Sequence, residues 1–264
     1  MDIKAMRHSA AHIMAEAIKE LYPDAQFAFG PDTENGFYYD VKIPGASLSN
    51  EDLPKIEKIM KRIAKAKAPF ERKEIPHEEA LELFKDQEFK IKTLKTNLKN
   101  EKTVSTYSQD GFTDLCQGPH VENTRQIGAF AVDRIAGAYW LGDSQNEPLQ
   151  RVYGLCFETK EELKRYRTMI EEAKKRDHRE LGKKLDLFSF HDEGPGFVFW
   201  HPNGLTLFNL LIEFIREVNK KQGGREIRTP EILSVDMWHK SGHYENFKET
   251  MYFTQADDHA FAVR

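Results

Sequence analysis

The chain has 264 residues, a formal net charge of -4, 39% hydrophobic and 31% charged residues, which suits two ordinary globular domains or one large one and argues against intrinsic disorder. No stretch approaches the about 18 consecutive apolar residues of a membrane span, and the charge balance announces no polyanion partner, so any nucleic-acid contact must use local basic faces. Two cysteines, Cys116 and Cys156, are too few for a disulfide framework, and with no export signal visible the expected compartment is the cytoplasm.

Residues Ile3 to Leu21 read as a helix, with Ile13, Met14, Ala17, Ile18 and Leu21 as one apolar stripe and Pro23 just past its end. From Gln26 to Val41 the pattern turns to a hairpin folded at Asn35-Gly36. Ser49 with Asp52 opens a capped helix whose apolar face is Leu53, Ile56, Ile59, Met60 and Ile63. Pro76 to Asp86 predicts a shorter helix, and Phe89 to Phe157 breaks into short apolar runs that predict strands and turns. Glu158 to Lys184 predicts one charged interdomain helix. Beyond it come an aromatic run from Phe197 to Trp200, a helix from Leu205 to Gln222 stopped by Gly223-Gly224, and a strand at Glu226-Ile227-Arg228 before Pro230.

Two short motifs carry chemistry. His8-Ser9-Ala10-Ala11-His12 puts two imidazoles one helical turn apart, a spacing suited to one metal ion or one small polar substrate. Alone, such a pair is more often structural, and a zinc-protease reading fails because Ser9 stands where that motif has glutamate. In Cys116-Gln117-Gly118-Pro119-His120 a turn brings a thiol and an imidazole to one side. Together the pairs make a plausible zinc quartet; the alternative is a half-buried cysteine beside a turn histidine.

In this order and with their surroundings the two pairs resemble the editing site of threonyl-tRNA synthetases, shared in weaker form with alanyl-tRNA synthetases and freestanding deacylases. Gly30-Pro31, Asn35-Gly36-Phe37-Tyr38-Tyr39-Asp40, Asp114-Leu115-Cys116 and Ala136-Gly137-Ala138-Tyr139-Trp140 carry the resemblance between and after them. Lys175-Arg176-Asp177-His178-Arg179, Leu185-Asp186-Leu187-Phe188 and Ser241-Gly242-His243 point to the threonyl branch.

The resemblance implies an α+β fold: an editing domain of helices packed on antiparallel sheet over residues 1–157, a linker helix over 158–187, and over 188–264 the truncated beginning of a class II catalytic domain. That last part would include the first signature motif, with Pro230 at a homodimer interface. The implied activity of this segment is hydrolysis of mischarged seryl-tRNA(Thr), and that of the full-length enzyme is threonine-tRNA ligation from tRNA(Thr), threonine and ATP. The implied catalytic residues are His8, His12, Lys90, Cys116 and His120, and the implied substrate-binding residues are Tyr39 and Asp114. Lys90 is placed mainly by its distance before the Cys116 motif, and its plain alternative is a solvated lysine.

Serine lacks one methyl of threonine, worth about 1–3 kcal/mol in a synthetic pocket, so a second pocket must reject threonine by its extra bulk. Asp114 is a natural anchor for the substrate ammonium, a histidine suits the base, and Lys90 could stabilise negative charge or order the water. A nucleophilic Cys116 is disfavoured, since nothing in the sequence shows it activated.

Threonyl editing sites are implied to work without metal whereas alanyl relatives look like zinc sites, so no metal is expected in this chain. ATP, magnesium and zinc belong to the full-length enzyme, whose zinc ligands and later motifs are expected beyond Arg264; without them the chain as given should not activate threonine. A freestanding zinc-dependent deacylase is disfavoured by the class II segment after Phe188, and a noncatalytic tRNA-binding paralogue by the intact histidine and cysteine set.

Overall fold

The computed structural model describes residues 2–263, which divide after Lys175 into two compact units. The first unit opens with helix α1 (Ile3–Leu21), whose N-terminus is capped by the Asp2 carboxylate accepting from the Lys4 N–H at 2.9 Å. Small and apolar residues run around most of this helix, and Ala10, Ala11, Ile13, Met14, Ala17 and Ile18 are fully buried. It is a central core helix rather than a surface one.

Strands β1 (Gln26–Phe27), β2 (Asp32–Thr33) and β3 (Gly36–Lys42) follow. The turn that joins β2 to β3 is Glu34-Asn35, one residue before the expected Asn35-Gly36, with Thr33 opposite Gly36 as the first residue of β3, and β1 pairs with the far end of β3, Gln26 opposite Lys42. Along β3 the alternation sends Phe37, Tyr39 and Val41 into the core, all at 1% exposure or less. Helix α2 (Leu53–Ala66) lays Ile56, Met60 and Ile63 against α1, each contributing about 1.5–3 kcal/mol by burial. Its expected cap works differently: the Asp52 carboxylate turns back to the Ser49 N–H at 3.0 Å and hydroxyl at 3.1 Å. Those bonds, the backbone one first, with Lys55 hold its carboxyl down at about 2.

After β4 (Glu71–Pro76) and α3 (His77–Leu83) comes α4 (Glu88–Thr96), where strands were expected. The residues buried are Phe89, Lys90, Thr93 and Leu94, which is helical spacing. Burial of a lysine in place of an apolar residue hid the helix. Strands β5 (Thr103–Gln109) and β6 (Phe112–Leu115) form a hairpin that completes an antiparallel sheet in the order β4-β5-β6. Strands β7 (Ala129–Tyr139) and β8 (Pro148–Phe157) close a second antiparallel sheet, β1-β3-β8-β7, with β2 on the side of β3. Helix α5 (Lys160–Lys175) packs on β7 and β8. Helices on antiparallel sheets make the fold α+β, as expected.

The single interdomain helix expected over Glu158 to Lys184 is two. The second unit begins with α6 (His178–Lys184), started by Asp177, whose carboxylate accepts from the Arg179 N–H at 2.9 Å. Strands β9 (Phe188–Ser189) and β10 (Phe199–Trp200) pair antiparallel, and helix α7 (Pro202–Lys221) follows. The strand expected at Glu226-Ile227-Arg228 is absent: residues 224–230, including Pro230, have no regular structure, and Ile227 is 81% exposed. Among the described residues no partner strand offers it a ladder, and Glu226 instead accepts a two-nitrogen bond from Arg216 on α7 at 2.8–3.0 Å. Then come β11 (Leu233–Ser234), α8 (Val235–Lys240), α9 (His243–Phe247), β12 (Tyr252–Ala256) and β13 (His259–Val263), with a sheet ordered β11-β13-β12. No described helix is long and apolar enough to cross a membrane.

Candidate functional site

In the first unit His8 and His12 project from one face of α1 toward the segment that leaves β6. One donor atom from each of His8, His12, Cys116 and His120 lies within 4.8 Å of the others. Cys116 is the hub: its Sγ stands 3.4 Å from His8 Nε2 and 3.3 Å from His120 Nε2, and accepts from the Gly118 N–H at 3.2 Å. Gly118 is required there, because its φ is +73° and a Cβ would fall 2.4 Å from the Tyr107 hydroxyl.

The hydrogen positions follow from the surroundings. The Ser9 hydroxyl donates to the Ala5 carbonyl at 2.7 Å, so it accepts both from the Val121 N–H at 3.1 Å and from His120 Nδ1 at 3.0 Å. His120 therefore carries its proton on Nδ1 and aims a lone pair from Nε2 at Cys116. Burial first, then its histidine neighbours, depress the pKa of His120 strongly. Burial also lowers that of His8, against the pull of Asp114 and the Pro119 carbonyl, and lowers that of His12 well below the ordinary range. The same desolvation pushes the Cys116 thiol up to about 12. The cluster is thus three neutral imidazoles around one neutral thiol, and one S–H cannot satisfy two Nε2 lone pairs. One acceptor is left over for a water, a substrate proton or a cation.

Beside it lies a buried charged cluster. Asp114, 2% exposed, accepts from Lys90 Nζ at 2.5 Å and from the Leu115 N–H at 2.8 Å on Oδ1, and from the Tyr39 hydroxyl on Oδ2. Lys90, 4% exposed, also donates to the Ala28 carbonyl at 2.9 Å and the Tyr39 hydroxyl at 3.0 Å, so its three protons are all engaged. Burial, and then the Asp114 charge, raise the Tyr39 phenol well above its usual range, which keeps it a donor. A carboxylate offers about four lone-pair positions, so one remains on Oδ2, on the side where His12 Nε2 stands 3.6 Å away. Lys90 is not the solvated lysine of the plain alternative.

A cavity of about 1150 Å³ opens over both clusters, lined by His8, His12, Tyr39, Lys90, Asp114 and Cys116 and continuing toward Tyr38, Arg72 and Arg151. His120 stands behind Cys116, its ring stacked on Phe70 at 4.9 Å. The structure brings together seven of the residues expected from sequence, all but Pro230, which lies in the second unit. It adds Ser9, Gln109 and Tyr107, which carry no motif; only the position of Ser9 between the two histidines hinted at it.

The second additional domain of threonyl and alanyl tRNA synthetases matches residues 104–153. The threonine–tRNA ligase of Desulfatibacillum aliphaticivorans is 49% identical over 98% of this chain and 40% of its own length. That of Acetivibrio thermocellus is 48% identical over 98% of this chain and 41% of its own length. A solved RNA binding domain of threonyl-tRNA synthetase from Cryptosporidium parvum is 40% identical over 34% of this chain and 22% of that one, at a TM-score of 0.33, too low to speak for the fold. The chain spans about 40% of the length of the curated relatives. Over nearly its whole length the chain is thus similar to part of the threonine–tRNA ligases, and within that stretch it matches the second additional domain of threonyl and alanyl tRNA synthetases.

Proposed function

We propose that this segment hydrolyses seryl-tRNA(Thr) as the editing part of a threonine–tRNA ligase. The observation that carries the reading is an unsatisfied imidazole lone pair in a neutral, buried cluster beside one free acceptor position on Asp114. The ammonium of the seryl group fits that position on Asp114. Lys90 and Tyr39 hold the carboxylate in place rather than touching the ester. A water hydrogen-bonded to the free imidazole nitrogen attacks the ester carbon; its proton passes to the imidazole and then to the ribose oxygen as the ester bond breaks. Cys116, kept as a thiol, is a donor and spacer between imidazoles, not the nucleophile.

A second reading is favoured by one observation, the four donors within 4.8 Å. His8, His12, Cys116 and His120 would fit zinc, which would supply a Lewis acid there. We favour the metal-free reading, which is what the threonyl rather than the alanyl resemblance implies. The division into an editing domain over 1–157, a linker over 158–187 and a class II beginning over 188–264 belongs to the same proposal. So do a homodimer interface at Pro230, cytoplasmic residence, and use of ATP, magnesium, zinc and threonine by the whole enzyme.

The test is deacylation of seryl- and threonyl-tRNA(Thr) by the chain, before and after exhaustive chelation. Seryl-tRNA should be cleaved at least tenfold faster, which is about the value of one methyl, and chelation should change nothing. His8→Ala and Cys116→Ala should lower the rate strongly. Equal cleavage of both esters would refute the editing assignment, and a loss restored by zinc alone would decide for the metal.

A further inference from the structure

A second polar chain reaches the site through His12. Glu16 lies one turn beyond His12 on α1, and its Oε2 accepts from Gln109 Nε2 at 3.3 Å. The Gln109 amide lies against the His12 ring within hydrogen-bonding reach. Both residues are sealed off, Gln109 at 2% exposure and His12 at 1%. Yet His12 Nδ1 and Gln109 Oε1 are both buried without a well-formed hydrogen bond. Two neighbouring orphans of this kind are costly, about 1–3 kcal/mol each when unmet, and turning over one amide or moving one ring proton changes which of them is met.

We propose that Gln109 and Glu16 are positioning residues that set which nitrogen of His12 carries its proton. The consequence for rate rests on the hydrolytic reading above; the coupling itself does not. With Glu16 ionised, the carboxylate accepts from Gln109 Nε2–H, and Gln109 Oε1 accepts from His12 Nδ1–H. His12 then presents an Nε2 lone pair to the cavity. With Glu16 protonated, the amide turns over: the Glu16 O–H donates to Gln109 Oε1, and Gln109 Nε2–H donates to His12 Nδ1. The ring proton then sits on Nε2, facing the spare position of Asp114 Oδ2 at 3.6 Å. The imidazole has one proton and no charge in both states, and the proton gained from solvent rests on Glu16. The amide oxygen and nitrogen are nearly the same size, so the turn costs no packing.

Glu16 is suited to change state near neutrality. Burial pushes its carboxyl up to about 7; the Gln109 hydrogen bond and Arg62 oppose the rise, and Asp110 and Glu20 add to it. Those are the charged groups that bear on it from each side: Glu20 on α1, Arg62 on α2 and already paired with Glu20, and Asp110 at the β5–β6 turn. Burial keeps His12 itself uncharged through this range.

Nitrogen-15 labelling of the histidines in the full chain, read by long-range proton correlation, distinguishes the two ring tautomers directly. Between pH 5.5 and 8.5 the His12 signal should exchange tautomers with a midpoint near the value of about 7 for Glu16. Glu16→Gln should abolish the step and hold one tautomer, and Gln109→Met should uncouple the ring if the first variant folds poorly. In single-turnover deacylation of seryl-tRNA the wild-type rate should fall about tenfold per pH unit below the midpoint, and the Glu16→Gln profile should lose that limb. One unchanging His12 tautomer in the wild type, or a step that survives in Glu16→Gln, overturns the proposal. A tautomer step in a chain that cleaves no ester would leave the coupling standing and sink the hydrolytic reading.

Discussion

Lys90→Met removes the cation from a buried cluster while keeping most of the side-chain volume. Asp114, at 2% exposure, then keeps the Tyr39 and Leu115 donors but loses its counter-charge, and the Ala28 carbonyl loses the Lys90 N–H that met it at 2.9 Å. Breaking a buried pair by removing one partner costs about 3–5 kcal/mol, because the other charge is left uncompensated. For a unit of this size that is roughly a 10 °C drop in Tm, at about 2–4 °C per kcal/mol. Urea unfolding can be followed through Trp140, which packs 4.9 Å from the Phe89 ring beside Lys90, with Trp200 and Trp238 replaced by Phe. Adding Asp114→Asn to Lys90→Met should recover at least half of the loss, since the stranded charge is gone. A single-variant cost under about 1 kcal/mol, or a cost unchanged by Asp114→Asn, would show that the pair is not the buried contact described.

Gly30→Ala places a Cβ 2.2 Å from the Tyr39 ring, so the phenol must leave Asp114; the expected result is a loss of deacylation with a folded chain, read by circular dichroism beside the rate. Cys116, with its thiol pushed up to about 12, should react with iodoacetamide at pH 8 at least about 100-fold more slowly than a free thiol; rapid labelling that leaves Cys156 untouched would revive the nucleophile reading.

Much of the first unit was legible because local and tertiary signals agree. Helix α1 runs over the residues its stripe marks, from the Asp2 cap to Leu21 ahead of Pro23. The hairpin was legible from its turn signal, although the turn falls at Glu34-Asn35, one residue early, and Gly36 is taken into the strand, where a Cβ would meet the Gly154 carbonyl. Helix α4 was not legible, since its buried face is built around Lys90, a residue that patterning assigns to solvent. The strand expected at 226–228 fails for the complementary reason: its sequence suits a strand, but a ladder needs a neighbour. At the site, His8, His12, Cys116 and His120 were readable as two spaced pairs. Ser9, Gln109 and Glu16 were not, because what they do depends on which atoms face them across the fold, and a single serine, glutamine or glutamate in sequence is neutral on that point.

The site has no home in any one stretch of chain: His8 and His12 ride on α1, Tyr39 on one sheet, Lys90 on α4, Asp114 on the other sheet, and Cys116 and His120 on the turn that leaves it. Its geometry is a seam, held by contacts that a small rocking of the β4-β5-β6 sheet would stretch all at once. Anything that bridges His12 and Asp114 therefore acts as a rivet, and its binding free energy adds to the cohesion of the whole unit by mass action. A non-hydrolysable seryl analogue of the tRNA end should show itself first as slower hydrogen exchange at the β6 strand, far along the chain from the helix that holds the histidines, and only afterwards as inhibition.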